Sequence, residues 1–351
     1  MPGTKAIGLG IIGCGIAANK LHWPALSRLR DEFTVVSVCN HTREKAIRLA
    51  GVVGEAYGRE IPYVLDYREL LASPEVDAVS IILPVERNRE VCTAAAAAGK
   101  HILVEKPIAE DADAAYQLLG VERVHPHLVM MVAENYRYRC VLSALVDVLR
   151  SGVIGVPYFV EWKVWQQIDP ATNAYAQTSW RIHHRYEGGF VMDGGVHNVA
   201  ALRDVFGKLD VIGAVSASVN PSIGRTDTLV CMFRAGGKAG VPSLPGVLSI
   251  GFSVHGPSVD RMVVLGSRGS AVVDNSTLKV YCTASSLPVA AYEYPDDDGY
   301  DREYKDFHRA ITTGTRPKST FAEACEDLAT ILSALGQADR VAATEPRDVR
   351  E

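Results

Sequence analysis

A glycine pattern near the N-terminus has the residue types and spacing of a phosphate-binding turn. Gly13, Gly15 and Ala18 fit G-x-G-x-x-G/A directly after the apolar run IGLGII and directly before a predicted helix. The first glycine permits a tight turn, the second lets backbone N–H groups approach a pyrophosphate, and the small third residue lets helix and strand pack closely. The N-terminus of the helix adds partial positive charge. The pattern predicts dinucleotide binding; the alternative is a glycine-rich turn without a ligand.

Three further side chains have types that suit alcohol or carbonyl chemistry. Lys106 follows a predicted buried strand and precedes Pro107, which places it at the carboxyl edge of a parallel sheet, where open α/β sheets bind ligands. Asp193 and His197 are spaced i, i+4 and share one face of a helix if the helix includes both. Taken singly, such a lysine is usually a solvated loop residue, and such an Asp/His pair usually makes surface hydrogen bonds.

The elements that must position these residues begin with alternating strands and helices. Predicted strands cover residues 6–12, 33–39, 78–83, 101–104 and 128–132. Predicted helices cover residues 17–30, 67–71, 88–98 and 109–120, and another runs from a possible N-cap at Thr42 through Leu49. Strands separated by crossover helices indicate βαβ units and a doubly wound parallel sheet. We therefore predict an α/β dinucleotide-binding Rossmann domain over residues 1–132.

The remainder, residues 133–351, has a different pattern that predicts a second, α+β domain. Predicted strands cover residues 156–165, 211–219, 228–233, 247–254, 261–265 and 270–273. Predicted helices cover residues 141–151, 194–206, 304–312 and 321–339, and exposed loops are expected at 236–246 and 295–301. A run of strands with few helices between them indicates a mostly antiparallel sheet.

Composition narrows the function classes. A chain of 351 residues suggests two domains, and a hydrophobic content of 48% suffices for well-buried cores. The net charge of −5 and the absence of a Lys/Arg cluster argue against nucleic acid as a partner. No apolar stretch reaches membrane-spanning length, and the N-terminal apolar run lacks the charged flank of a signal sequence. The 7 cysteines are scattered without a C-x-x-C pair, which favours reduced thiols and a cytoplasmic location.

Three sequence blocks together resemble a known family. They are GCGIAA at 13–18, AGKHILVEKP at 98–107 and GGFVMDGGVH at 188–197. On these blocks the chain is identified as a member of the Gfo/Idh/MocA oxidoreductase family, which includes glucose–fructose oxidoreductase and inositol dehydrogenase. The resemblance covers essentially the whole chain.

The resemblance implies a Rossmann domain followed by an open-faced domain, and NAD(H) or NADP(H) as cofactor. It implies hydride transfer between the nicotinamide and a carbon of a sugar, polyol or sugar derivative, with Lys106, Asp193 and His197 around the reacting oxygen. Loss of a hydroxyl proton requires a base poised near neutral pH, the expected role of His197. Lys106 would orient substrate and stabilise alkoxide character. Asp193 would accept a hydrogen bond from substrate or partner the base.

Other candidate site residues accompany these three. The residues expected to contact the dinucleotide are Gly13, Gly15, Ile16, Ala17, Asn40, Thr42, Arg43, Leu83, Pro84, Asn88, Glu105 and Lys106. Tyr136, Trp180 and Arg181 are candidates to line the substrate cleft, with packing or surface pairing as the competing interpretation. The adjacent His183 and His184 are not interpreted as a metal site, because no third ligand stands nearby.

Two departures from the family pattern bear on the site. Asn88 stands where members often carry histidine, so nicotinamide-side or substrate contacts are expected to differ. The second predicted strand ends in neutral Asn40 rather than in the acidic residue that usually holds the ribose of NAD. Arg43 could pair with a 2′-phosphate and Thr42 could donate a hydrogen bond to it. We therefore predict NADP(H) over NAD(H); alternatively, Thr42 only caps its helix and Arg43 faces water.

Two other functions remain open from sequence. One is a dinucleotide-dependent regulatory or binding protein without catalysis, against which the intact Lys106, Asp193 and His197 count. The other is a lyase or epimerase that uses the nicotinamide transiently, with no net change in cofactor absorbance. A homodimer or homotetramer is also expected, because one face of a broad antiparallel sheet needs covering.

Overall fold

The computed structural model describes residues 6–184, 186–238, 240–282 and 287–341. The chain divides into two compact units, the first from Met1–Tyr138 with Gly299–Leu328 and the second from Arg139–Asp298 with Ala329–Glu351. The predicted boundary at residue 132 places everything after it in the second domain. In the structure, residues 299–328 belong to the compact first unit.

The first unit is built on a parallel sheet. Its strands are β1 Ile7–Ile12, β2 Phe33–Cys39, β3 Tyr63–Val64, β4 Ala78–Ile81, β5 His101–Glu105 and β6 Met130–Ala133. They lie in the order β3-β2-β1-β4-β5-β6, and every neighbouring pair is parallel. This confirms the predicted doubly wound sheet, whose strand order reverses between β1 and β4. The two-residue β3 was not predicted, because it is too short to show a periodic pattern.

Helices flank both sheets. In chain order the α-helices of the described residues are α1 Trp23–Ser27, α2 Arg43–Tyr57, α3 Tyr67–Ala72, α4 Asn88–Ala97, α5 Ala112–Val124, α6 Cys140–Ser151, α7 Ser179–Ile182, α8 Gly189–Phe206, α9 Tyr300–Thr313 and α10 Phe321–Gln337. Asp111 accepts a hydrogen bond from the N–H of Ala114 at 2.8 Å. Because this side chain caps α5, the helix begins later than the predicted residue 109.

The helix after the glycine turn departs from its prediction. The expected helix over residues 17–30 is a π-helical turn at Ala18–His22 followed by the short α1. Pro24 lies in the first turn of α1 and has no N–H to donate, which interrupts the regular ladder of i to i−4 hydrogen bonds. The wider turn changes the direction in which the side chains around it point.

The second unit contains a mixed but mostly antiparallel sheet. Its strands are β7 Pro157–Trp165, β8 Leu209–Ala217, β9 Thr228–Ala235, β10 Leu244–Gly251, β11 Val259–Gly266, β12 Gly269–Asp274, β13 Thr277–Cys282, β14 Ala290–Glu293 and β15 Ala338–Val341. Their order is β14-β13-β12-β11-β7-β10-β9-β8-β15. Only the β7/β10 and β8/β15 pairs are parallel among these strands, which confirms the predicted sheet type.

Several boundaries in the second part of the chain were predicted wrongly. Strands β13 to β15 lie towards the two ends of the sheet order and were missed. The predicted loop over residues 236–246 gives way to β10 at Leu244, which pairs with Ala235 on β9. The predicted loop over 295–301 likewise ends early, because α9 begins at Tyr300. The ends of these strands and helices are set by packing and by pairing with distant strands, and not by local composition.

One face of the second sheet is buried and the other is exposed. On β9, Leu229 and Phe233 are each 1% exposed, whereas Val230 is 38% and Met232 is 52% exposed. This alternation is the two-residue period of a strand. Helix α8 packs on the buried face, since a Cβ at Gly194 would lie 2.7 Å from Phe252, directly after β10.

Of the helices in the described ranges, none has the length and apolar character needed to cross a membrane. All cysteines are free thiols. Burial raises the pKa of the Cys14 thiol to about 12, so this residue of the glycine turn is a poor nucleophile.

Candidate active site

The predicted dinucleotide residues of the first unit lie at one edge of its sheet. In parallel strands the carboxyl ends all meet at the same edge, and open α/β sheets bind ligands there, at the point where strand order reverses. Residues at these strand ends are Gly13 and Gly15 after β1, Asn40 and Arg43 after β2, Leu83 and Pro84 after β4, and Lys106 after β5.

The two glycines of the turn have different surroundings. Gly13 has a φ of 104°, and a Cβ there would lie 2.1 Å from the carbonyl oxygen of Ile82. Its N–H donates to the carbonyl of Cys39 at 2.8 Å. Gly15 is the opposite case, because a Cβ there would meet no atom within 4 Å. Open space beside a backbone at the start of a helical segment fits the pyrophosphate of a dinucleotide.

Asn40 holds the glycine turn in place. Its Oδ1 accepts a hydrogen bond from the N–H of Cys14 at 3.0 Å, and its Nδ2 donates to the carbonyl of Thr42 at 3.2 Å. The side chain is 8% exposed. Thr42 occupies the N-cap position of α2 as predicted, but its side chain makes no capping hydrogen bond.

Arg43 lies at the first position of α2 and is exposed. Its Nη1 donates to the hydroxyl of Tyr63 at 3.0 Å, and its guanidinium carbon lies 6.0 Å from the centre of the Tyr63 ring. The arginine is therefore held beside β3 instead of extending freely into water.

The turn that carries Lys106 is fixed by Asn88. The buried Nδ2 of Asn88 lies 3.1, 3.0 and 3.3 Å from the carbonyl oxygens of Glu105, Pro107 and Ile108. Lys106 itself is half-buried, and its peptide bond to Pro107 is cis. The contacts described for Asn88 thus bind the backbone around the lysine.

In the second unit, Asp193 and His197 both lie in α8. The helix begins at Gly189 rather than at the predicted residue 194, so it includes both residues and places them on one face. Asp193 is 5% exposed, and its Oδ2 accepts a hydrogen bond from Nε of Arg181 at 2.8 Å. Arg181 also stacks over the Trp180 ring at 4.0 Å. His197 is half-buried.

Family models match both parts of the chain. One, described as an oxidoreductase family with an NAD-binding Rossmann fold, covers residues 7–133. The other, described as the GFO/IDH/MocA C-terminal domain, covers residues 142–272. The chain belongs to the Gfo/Idh/MocA oxidoreductase family. The family predicted from the three sequence blocks is therefore confirmed, and the chain is an NAD(P)-dependent oxidoreductase.

Similar proteins span nearly the whole length of this Gfo/Idh/MocA oxidoreductase. An uncharacterised oxidoreductase, YrbE of Bacillus subtilis, is 29% identical over 90% of both chains. The dTDP-3,4-didehydro-2,6-dideoxy-α-D-glucose 3-reductase of Saccharopolyspora spinosa is 28% identical over 97% of this chain and 99% of its own. The crystal structure of an oxidoreductase from Thermotoga maritima has a TM-score of 0.84 and 30% identity, covering 95% of this chain and 97% of its own.

The remaining candidates of this Gfo/Idh/MocA oxidoreductase lie apart from one another along the chain. Tyr136 is half-buried in a 3-10 turn after β6. His183 is exposed, whereas Nδ1 of His184 lies 2.9 Å from the carbonyl of Arg181. Within the described ranges, no cluster of three or more His, Cys, Asp or Glu side chains could hold a metal.

Sequence reasoning missed His22, which contacts Glu105 in the first unit. Its Nε2 lies 2.7 Å from Oε1 of Glu105, the residue before Lys106. A histidine seven positions after Gly15 on a mostly apolar helical segment was the available sequence signal. Its partners are too distant along the chain for sequence spacing to indicate them.

Proposed function

We propose that this protein transfers a hydride between NADP(H), preferred over NAD(H), and a hydroxyl or keto carbon of a sugar, polyol or sugar derivative. Lys106 and His197 act at the reacting oxygen. The observation that carries the proposal is the shared sheet edge of the first unit, where open space beside Gly15 and the half-buried Lys106 follow β1 and β5. The sugar substrate named for the Saccharopolyspora relative supports the substrate class.

Each of these residues has its own part in the proposed reaction. When bound, the nicotinamide supplies or accepts the hydride. In the oxidative direction His197 takes the hydroxyl proton, and the C–O single bond becomes a carbonyl as the hydride leaves carbon. The Lys106 ammonium stabilises negative charge on that oxygen. Asp193, held by Arg181 at 2.8 Å, accepts a substrate hydrogen bond or orients the base.

The preference for NADP(H) rests on charge at the end of β2. Asn40 is neutral, and both polar ends of its amide are engaged by backbone groups. It therefore offers no negative charge against a 2′-phosphate. Arg43, held at the start of α2 by Tyr63, supplies a cation that could bind that phosphate with two hydrogen bonds.

A homodimer or homotetramer is part of the same proposal. The exposed face of the second sheet carries apolar side chains, including Val215 at 45% and Met232 at 52% exposure on neighbouring strands. Apolar side chains that share an exposed sheet face are typical of an interaction surface.

The first test is a fluorescence titration of the purified protein with NADPH and NADH. We expect tighter NADPH binding in the wild type and a loss of about tenfold or more in Arg43→Ala, because charged hydrogen bonds to the phosphate are lost. NADH binding should stay unchanged in that variant. Arg48→Ala, an exposed arginine on the same helix, is the matched control. Preference for NADH, unaffected by Arg43→Ala, would contradict the cofactor proposal.

A turnover screen then tests the chemistry. With NADPH and a panel of sugar ketones, Lys106→Ala and His197→Ala should each lower kcat by about 100-fold. Binding of NADPH should persist in His197→Ala. Product formed without net change in cofactor absorbance would instead indicate a lyase or epimerase that uses the nicotinamide transiently.

A further inference from the structure

A chain of buried polar side chains runs through the first unit to Glu105. Ser80 Oγ lies 2.9 Å from the Tyr304 hydroxyl, which lies 2.8 Å from Nδ1 of His22. Nε2 of His22 lies 2.7 Å from Oε1 of Glu105. His22 and Tyr304 are 0% exposed and Ser80 is 1% exposed. The proposed chemistry gives none of these three residues a role.

The chemistry of the groups sets the direction of the hydrogen bonds. A carboxylate oxygen only accepts, so Nε2–H of His22 donates to Glu105. Burial raises the pKa of Tyr304 well above its usual range, so its hydroxyl keeps its proton and can donate to Nδ1 of His22 when the imidazole is neutral. The result is a series of donors that points towards Glu105. Hydrogen bonds in such a buried series strengthen one another.

The Glu105 carboxylate joins this series to Lys106. Its second oxygen, Oε2, accepts a hydrogen bond from the backbone N–H of Lys106 at 3.0 Å. The side chain of Glu105 is only 12% exposed. One carboxylate therefore bridges His22 and the backbone of the proposed catalytic lysine.

His22 also belongs to the segment that follows the glycine turn. It is the last residue of the π-helical turn Ala18–His22, and Asn19 in that turn donates to the carbonyl oxygens of Cys14 and Gly15 at 3.2 and 2.8 Å. The π-helical turn thus connects the backbone at Gly15, through Asn19, with the turn that carries Lys106, through His22 and Glu105.

We propose that His22 is a positioning residue for Lys106: by holding the Glu105 carboxylate, it fixes the lysine and links its placement to the glycine turn. The inference rests on the proposed role of Lys106 in the reaction. Both ring nitrogens of this buried imidazole have partners, without which burying the polar group would destabilise the fold. Tyr304 supports the imidazole from its other nitrogen.

The test measures the reactivity of Lys106 rather than turnover. Competitive acetylation with acetic anhydride across a pH series, read by peptide mass spectrometry, gives the rate at Lys106 relative to the exposed Lys45 on α2. We expect His22→Leu to change this ratio by about threefold or more, because the Glu105 carboxylate beside Lys106 loses a hydrogen bond. His22→Gln, which keeps a donor towards Glu105, should restore most of the wild-type ratio.

Two further variants make the result specific. His101→Leu removes another imidazole from the same unit, a half-buried one that accepts a hydrogen bond from the N–H of Val129 at 2.9 Å, and should leave the Lys106 ratio unchanged. Tyr304→Phe deletes only the hydroxyl that holds Nδ1, and should shift the ratio in the direction of His22→Leu by a smaller amount. If His22→Leu does not fold, the Lys106 ratios of Tyr304→Phe and His22→Gln are compared with the wild-type ratio instead.

The outcomes separate this inference from the proposed function. Equal Lys106 ratios in wild type, His22→Leu and Tyr304→Phe would overturn the positioning role, whether or not NADPH binds. Adding NADPH should change the wild-type ratio, and His22→Leu should weaken that response. Failure of the wild type to bind NADPH would overturn the proposed function, while the measurements without cofactor would still decide the role of His22.

Discussion

At the scale of single residues, the candidate site depends on which side-chain atoms donate hydrogen bonds and which accept them. Asn88 acts as a donor, because its Nδ2 faces three carbonyl oxygens around Lys106. Its Oδ1 is buried, with no hydrogen-bond partner among the described residues. A carboxylate at this position has the same shape but no hydrogen to donate, so it would face carbonyl oxygens with charge.

We therefore expect Asn88→Asp to lower the free energy of unfolding by about 1–3 kcal/mol, because buried carbonyl groups lose their donor. Asn173→Asp is the matched control. Oδ1 of Asn173 accepts hydrogen bonds from the N–H groups of Tyr175 and Ala176 at 2.9 and 3.1 Å, and aspartate can do the same. Thermal unfolding of both variants measures the difference; an equal change in Tm would argue against the donor role.

At the scale of elements, the turn between β1 and the π-helical turn contains one glycine that the fold requires and one that the proposed dinucleotide binding requires. A Cβ at Gly13 would collide with the backbone of Ile82 and require an unfavourable φ of 104°. A Cβ at Gly15 would enter open space. Glycine is therefore needed at position 13 for the backbone conformation, and at position 15 for the proposed approach of the pyrophosphate.

This contrast predicts opposite effects of the same substitution. Gly13→Ala should lower Tm clearly, because strain and a steric clash act on the folded state. Gly15→Ala should leave Tm within error while weakening NADPH binding by about tenfold or more, because the methyl group takes space and hydrogen bonds from the pyrophosphate. Unfolding and fluorescence titration of both variants check the pair. Unchanged NADPH binding in Gly15→Ala would place the phosphates elsewhere.

At the scale of the whole molecule, the exposed apolar face of the second sheet sets the proposed assembly. Val230 and Met232 point to the same side of β9, opposite the buried Phe233. The next strand, β8, adds Val215 to the exposed apolar residues. Covering these side chains with a second copy would remove apolar surface from water.

We expect a homodimer or homotetramer in light scattering at micromolar protein concentration. Met232→Glu should shift the distribution towards smaller species, because the interface would bury an unpaired charge. Ile47→Glu on α2, where the replaced side chain is 47% exposed, is the control and should leave the mass unchanged. A wild-type monomer would refute the assembly.

The features predicted correctly from sequence are those that local residue patterns indicate. Buried runs such as β1 and β2 carry their own apolar signal, and the glycine turn carries its own spacing. The i, i+4 spacing of Asp193 and His197 is likewise a local pattern that does not depend on where α8 begins. The true helix start at Gly189 required tertiary packing, because glycine-rich sequence alone argues against a helix.

The sequence by itself determined the parallel and antiparallel classes of the two sheets, the family and the candidate residues at the strand ends. Only the tertiary structure assigned α9 to the first unit and brought Tyr304 to His22, 282 positions away. It also gave Asn88 and Asn40 their partners. The physical reason is that periodicity and turn chemistry act over a few residues, whereas a buried polar group is satisfied by whichever distant side chain the fold brings to it.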